Sequence, residues 1–416
     1  YLETRKLTRI ESLRNWVSVV LSLPETMRRS LVLLILLSFC IAALAGAPTK
    51  RSSRPASRPP VVAHSSRPKT PPRKAKKRTP AKRKPAQPAT YRGPWTEPTF
   101  ADSTAEDNVD GEDLDVRRAA VAGLGAYNGT VVVTDPDNGR VLSIVNQKLA
   151  LSSGYQPCST VKLVTTLAAL QEEAIPTSGP FRLTTKALSS LVYAIAHSTN
   201  GYFAALGKKL GFDRVTRYAR LLGLGENAGW NIAGEQPGGL PSAPPRDGGV
   251  GMMTSFGSGI SLTPLQLAAL VGAVANGGTL YYLQYPRTPE EISGLTPRVK
   301  RDLGIADWLG ELKQGMRAAV ERGTARRAAY RASEPIYGKT GTCTDYARGA
   351  HMGWFGSFNE IGNRKLVVVV MLTGARGVSG PVASGIAGKV YAELARHNYS
   401  LRASRPLVSA PTCCGD

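Results

Sequence analysis

The ten residues EPIYGKTGTC (334–343) decide how this chain is read. They contain Gly338-Lys339-Thr340, which could close a phosphate-binding loop, but the spacing excludes that reading. Such a loop needs a glycine five positions before Gly338; Ser333 stands there, and Pro335 intervenes. The stretch is left as a strand candidate. A strand places Lys339 and Gly341 on one face and Thr340 and Thr342 on the other. Gly341 then lets a ligand come close to the backbone.

Working outward, 353–358 and 366–372 are further strand candidates, followed by a helix over 385–396. Upstream, 129–134 and 140–145 flank Asp135-Pro136-Asp137-Asn138-Gly139, a strand, turn, strand pattern. Between these blocks the spacing predicts helices over 159–173, 186–210, 212–222 and 305–319. A further helix, 264–275, has Thr263 as N-cap, Pro264 at its first position and Asn276-Gly277-Gly278 closing it. A strand hairpin, then helices, then three strands and a helix predict an α/β (α+β) fold. Its antiparallel sheet is flanked by helices and carries an all-helical lobe.

Two further motifs carry chemistry. Ser159-Thr160-Val161-Lys162 opens the first long helix, where residues three apart share a face. A serine hydroxyl needs a base to take its proton, and a desolvated neutral lysine can serve. The pattern alone is cheap, because Ser66-Arg67-Pro68-Lys69 repeats it where no helix can form. Ser198-Thr199-Asn200 offers a second hydroxyl and an amide that both donates and accepts. A helix-end cap explains that triplet equally well. His197 beside it is read as a core residue. His64, His197, His351 and His397 lie too far apart for ligand spacing, so neither a metal nor any cofactor is expected.

In the order S-x-x-K, S-x-N, K-T-G, the three motifs resemble the signature of serine penicillin-recognising enzymes. Flanks at 221–241, 256–278, WFGSF (354–358) and 367–391 are similar to those of class B, monofunctional penicillin-binding proteins. The resemblance covers roughly 129–396. It implies a D,D-transpeptidase of peptidoglycan: Ser159 as nucleophile, Lys162 as its base, Ser198 as proton relay, and Lys339 shaping the electrostatics. Asn200, Thr340, Gly341 and Thr342 would contact the stem peptide or a β-lactam. The backbone N–H groups of Ser159 and Thr342 would form the oxyanion hole. A polytopic shape- or division-type glycan polymerase is the implied partner. A D,D-carboxypeptidase or β-lactamase on the same fold, or a non-catalytic cell-wall scaffold or sensor, are the alternatives. Against the lactamase stands the lack of a plausible E-x-x-L-N segment. Cys158 and Cys343 flank the motifs and resemble the active-site disulfide of some class A carbapenemases.

Charge completes the reading. The 416 residues hold 53 Lys plus Arg against 30 Asp plus Glu, a net +23. Fifteen of the basic residues fall in 48–94 with 11 prolines and no acid, whereas 97–115 holds eight acids and no base. Together 48–115 reads as a linker, self-repelling and extended in its basic part. Before it, LVLLILLSFCIAALAGA (31–47) carries no charge and is just long enough to span a bilayer. Arg28 and Arg29 favour a signal-anchor at 30–47 with 1–29 as a cytoplasmic amphipathic segment, although Ala43-Leu44-Ala45 also resembles a cleavage site. The expected organisation is thus a single-pass protein of a bacterial cytoplasmic (inner) membrane. Its transpeptidase domain, 116–402, lies in the periplasm, followed by a tail, 403–416. Such an anchor puts the basic run away from nucleic acid.

Overall fold

The computed structural model describes residues 95–329, 333–346, 348–361 and 364–399. The expected anchor at 30–47, the basic run 48–94 and the tail 403–416 lie outside the described residues. Among the described residues no helix is long and apolar enough to cross a membrane.

Five antiparallel strands form the main sheet: β1 (Gly129–Thr134), β2 (Val141–Val145), β3 (Ile336–Asp345), β4 (Ala350–Ile361) and β5 (Arg364–Gly374). Their spatial order is β2-β1-β5-β4-β3, which leaves β3 at one edge. The central β5 reads LVVVVML over 366–372 and is buried throughout. Its side chains alternate: Val367, Val369 and Met371 join one hydrophobic cluster, and Leu366, Val368, Val370 and Leu372 join another. A strand that feeds two cores needs no polar alternation, which explains the unbroken apolar run.

The second cluster packs α1 (Leu114–Leu124) and the C-terminal α9 (Gly380–Arg396) on one face. The other face carries the helical lobe: α2 (Lys162–Gln171), α3 (Thr185–His197), α4 (Asn200–Leu210), α5 (Phe212–Leu221), α6 (Gly249–Phe256) and α7 (Pro264–Asn276). Helix α8 (Leu309–Glu321) runs alongside α3 and reaches β3. Residues 264–275 of α7 are buried on every side, so end-capping matters more than an amphipathic stripe. Thr263 and Gln266 form a reciprocal capping box there, and Gly277 closes the helix at φ 104°.

Three expectations need correction. The helix predicted over 186–210 is two helices, α3 and α4, broken at Ser198, whose φ is 56°. His197 is exposed rather than in the core, and its ring packs on Tyr193 at 4.4 Å. The acidic stretch 97–115 is not linker but part of the fold. Asp113 caps α1 by accepting from the Asp115 and Val116 N–H groups. Asp107 pairs with Arg117 at 2.7 Å and accepts from the backbone of Asn146 and Gln147. Glu112 is buried, accepting from Ile144 N at 2.9 Å, Ser143 Oγ at 2.8 Å and the Tyr285 hydroxyl. A count of acids cannot register partners that only folding delivers. The ordered part begins upstream of 116: Thr96 N donates to Gly349 O at 2.9 Å, and Trp95 packs on His351.

Removing the Glu112 carboxylate takes the acceptor from the Ser143 hydroxyl, the Tyr285 phenol and the Ile144 amide together, while Arg117 keeps Asp107 and Ile144 O. With three donors left without an acceptor, Glu112→Ala is expected to cost about 3–5 kcal/mol, lowering the Tm by roughly 10 °C in a thermal melt. An unchanged Tm would return the acidic stretch to a peripheral role.

Candidate active site

Three of the residues singled out in the sequence, Ser159, Ser198 and Asn200, converge on the amine of a fourth, Lys162. A 3-10 turn, Cys158–Val161, enters α2, so Ser159 and Lys162 lie three apart at the start of a helical run. Lys162 is 1% exposed, yet its Nζ lies 3.0 Å from Ser159 Oγ, 2.9 Å from Ser198 Oγ, 2.8 Å from Ser198 O and 2.6 Å from Asn200 Oδ1. The last two contacts are explained by the α3–α4 break. The left-handed conformation of Ser198 turns the chain so that its hydroxyl, its carbonyl and the first side chain of α4 all face the amine. The triplet therefore ends one helix and builds the site as well.

Burial pushes the Lys162 ammonium down from its ordinary range to about 7. Phe203 lies 5.3 Å from Nζ and helps keep water away. Hydrogen-bond arithmetic fits a neutral amine. Ser198 O and Asn200 Oδ1 can only accept, so they take two N–H protons. The lone pair is then left to accept from a hydroxyl, and both Ser159 Oγ and Ser198 Oγ lie within reach of it. That is the arrangement a general base needs.

Lys339 is fully buried on β3 and donates to Thr340 O at 3.0 Å. Burial first, and then the nearby Lys162 charge, hold its ammonium well below the ordinary lysine range. Gly341 faces the Cys158–Val161 turn: a Cβ there would sit 2.9 Å from Pro157 O and 3.2 Å from Thr160 Cγ2. Cys158 and Cys343 are joined by a disulfide with Cα atoms 5.5 Å apart, tying the turn to the strand. Thr342 Oγ1 accepts from Gly380 N at 2.8 Å. Thr340 Oγ1 lies 2.5 Å from the hydroxyl of Thr324.

Phe203 and Thr324 were not singled out in the sequence. Phe203 was within reach, three residues after Asn200 on the same helix. Thr324 follows α8 in a loop and carries no local signal.

Residues 129–394 match the family model described as penicillin binding protein transpeptidase domain. The chain belongs to that family. Among its relatives, Stage V sporulation protein D of Bacillus subtilis (strain 168) is 29% identical over 283 residues, covering 60% of this chain and 43% of that protein. Peptidoglycan D,D-transpeptidase PbpA of Mycolicibacterium smegmatis is 27% identical over 316 residues, covering 60% of this chain and 62% of the other. The chain thus spans about half the length of the curated relatives it matches. Among solved structures, the transpeptidase domain of Burkholderia pseudomallei penicillin-binding protein 3 superposes with a TM-score of 0.56 at 20% identity, covering 69% of this chain and 94% of that one. Penicillin-binding protein A from M. tuberculosis, in a ceftriaxone acyl-enzyme complex, gives 0.55 at 22% identity, covering 68% and 79%. These likenesses establish the penicillin-binding transpeptidase fold for the described domain.

The pH dependence of this site has a definite sign. Ser159 reactivity toward an acylating agent should rise about tenfold per pH unit below 7 and level off above, as Lys162 loses its proton. A flat profile between pH 5.5 and 8 would remove Lys162 as the base. Between about 7 and the ordinary lysine value of 10.5 the unfolded chain holds a proton that the fold releases, so this group adds stability as pH rises through that window. Gly341→Ala should push β3 off the nucleophile turn and slow Ser159 acylation by roughly two orders of magnitude, the cost of about 1 Å of misplacement. Stopped-flow acylation rates check it.

Proposed function

We propose that this chain is a membrane-anchored peptidoglycan D,D-transpeptidase that cross-links stem peptides through an acyl-enzyme on Ser159. One observation carries the reading: a desolvated lysine amine contacts a serine nucleophile, a second hydroxyl and a side-chain amide at once.

In this mechanism Lys162 takes the Ser159 proton while Oγ attacks the carbonyl of the penultimate D-alanine. The oxyanion is received by the backbone N–H groups of Ser159 and Thr342, which the Cys158–Cys343 disulfide keeps in register. Collapse breaks the peptide bond; the departing D-alanine amine takes a proton through Ser198, leaving the ester. An amine from a second stem peptide then attacks that ester, its proton passes back to the base, and Ser159 is released. Asn200 holds the donor peptide's amide, and Lys339, Thr340 and Gly341 line the β3 side. The edge position of β3 supports this role, because an unpaired strand edge can hydrogen-bond an extended peptide. A β-lactam would enter the same path and stop at the ester.

The apolar run 30–47 supports a retained anchor, with 48–94 as tether and the catalytic domain outside the cytoplasm. A polytopic glycan polymerase in the same membrane would supply the strands to be cross-linked.

Fluorescent penicillin tests the reading. The wild type should form a stable covalent adduct, and Ser159→Ala should form none at equal protein concentration. Absence of label on the wild type, or equal label on the variant, rejects the assignment. Release within seconds would favour a β-lactamase, and release over many minutes or longer a transpeptidase.

A further inference from the structure

The threonines of β3 have a property that their motif alone does not reveal. A threonine hydroxyl has one proton to give and two lone pairs to offer. Thr340 and Thr342 lie on the same strand face, and each oxygen is already engaged from a different element. Gly380 N, at the start of α9, donates to Thr342 Oγ1, which leaves the Thr342 proton free to donate. Thr340 is 3% exposed, and its Oγ1 lies 2.5 Å from Thr324 Oγ1, so one of these two hydroxyls must donate to the other.

Thr324 is held in place by its backbone. Its N–H donates to Ala196 O at 3.0 Å, two residues before Ser198. Gly323 approaches that same carbonyl so closely that no Cβ would fit. Gly323 N and Ala325 N both bond Ala319 O, closing the loop onto the end of α8. The Thr324 hydroxyl therefore has a fixed position relative to both the Ser198 turn and β3. Among the described residues its side chain has no other hydrogen-bond partner than Thr340.

We infer that Thr324 is a positioning residue that sets Thr340 as a donor to the terminal carboxylate of the substrate; this rests on the transpeptidase reading above. An anion arriving at Thr340 can only accept, so it takes the Thr340 proton. The Thr340 oxygen then accepts from Thr324, and the two bonds polarise each other in sequence. Thr342, primed separately by Gly380, supplies a second donor on the same face. Two donors side by side suit the two oxygens of a carboxylate. The same loop contacts the Ser198 turn through Ala196, so anion recognition and the proton relay share one support.

The test compares benzylpenicillin with its methyl ester, which lacks the carboxylate, on wild type, Thr324→Val and Thr324→Ser, with a melt of each protein. Thr324→Val should lose about tenfold in the acylation rate constant for the acid, the scale of one neutral hydrogen bond. The ester should change less than about twofold. Thr324→Ser, which keeps the hydroxyl, should match wild type on both. Equal loss on acid and ester, no loss on the acid, or failure of Ser to rescue overturns the inference. If the Val variant gives no cooperative melt, Thr324→Ala replaces it under the same criteria. A wild type that is never acylated brings down the transpeptidase reading and this inference with it. An acylated wild type with an unaffected Val variant brings down this inference alone.

Discussion

The site depends on the removal of water from one amine. Lys162 in water would be a cation with no basic lone pair. Buried at the start of α2 beside Phe203, it loses its hydration, its affinity for a proton falls, and the lone pair becomes available near neutral pH. The surrounding oxygens then fix where that lone pair points. Two of them can only accept, and they hold the amine's protons away from Ser159. Burial lowers the affinity for a proton, and the hydrogen bonds set the direction of the protons that remain.

That burial requires two bodies to meet closely along β3. The helical lobe brings Lys162, Ser198 and Asn200, while the sheet brings Lys339, Thr340 and Gly341. Contact at backbone distance, as at Gly341 against Pro157 and Thr160, leaves no layer of side chains to yield. The disulfide between Cys158 and Cys343 crosses the same seam, and so does the Thr324–Thr340 hydrogen bond. A covalent tie, close backbone contact and a hydrogen bond thus restrain the gap beside Ser159 and Lys162. The sheet behind is rigid for an independent reason: β5 is packed on both faces and cannot shift toward either core without opening a void in the other.

The N-terminal acidic stretch shows how charge counting misleads. Eight acids without a base read as a solvated spacer. In the fold Glu112 and Asp107 bind backbone amides of β2 and the residues after it, and both face Arg117. Burying a carboxylate is tolerated when it finds this many donors, and all of them come from residues distant or later in the chain. His197 erred in the opposite direction. Its apolar neighbours suggested the core, but it falls on the outward face at the end of α3.

Most strand and helix positions were legible because they follow from periodicity; α1 and α6 were not predicted, and the unbroken 186–210 hid the most consequential feature. Nothing in the polarity of Ser198 announces a left-handed residue; that conformation exists because α3 and α4 must each pack their own apolar faces. The sequence by itself determined the chemical inventory: two serine hydroxyls, two lysines, an amide side chain, and their order along the chain. Hydrophobic spacing also determined the class of fold. Only the tertiary structure decided that the amine is dry, that the Thr340 and Thr342 oxygens are engaged from other elements, and that Thr324 stands behind them. Desolvation and hydrogen-bond direction depend on groups that approach from distant parts of the chain, and no local pattern encodes their meeting.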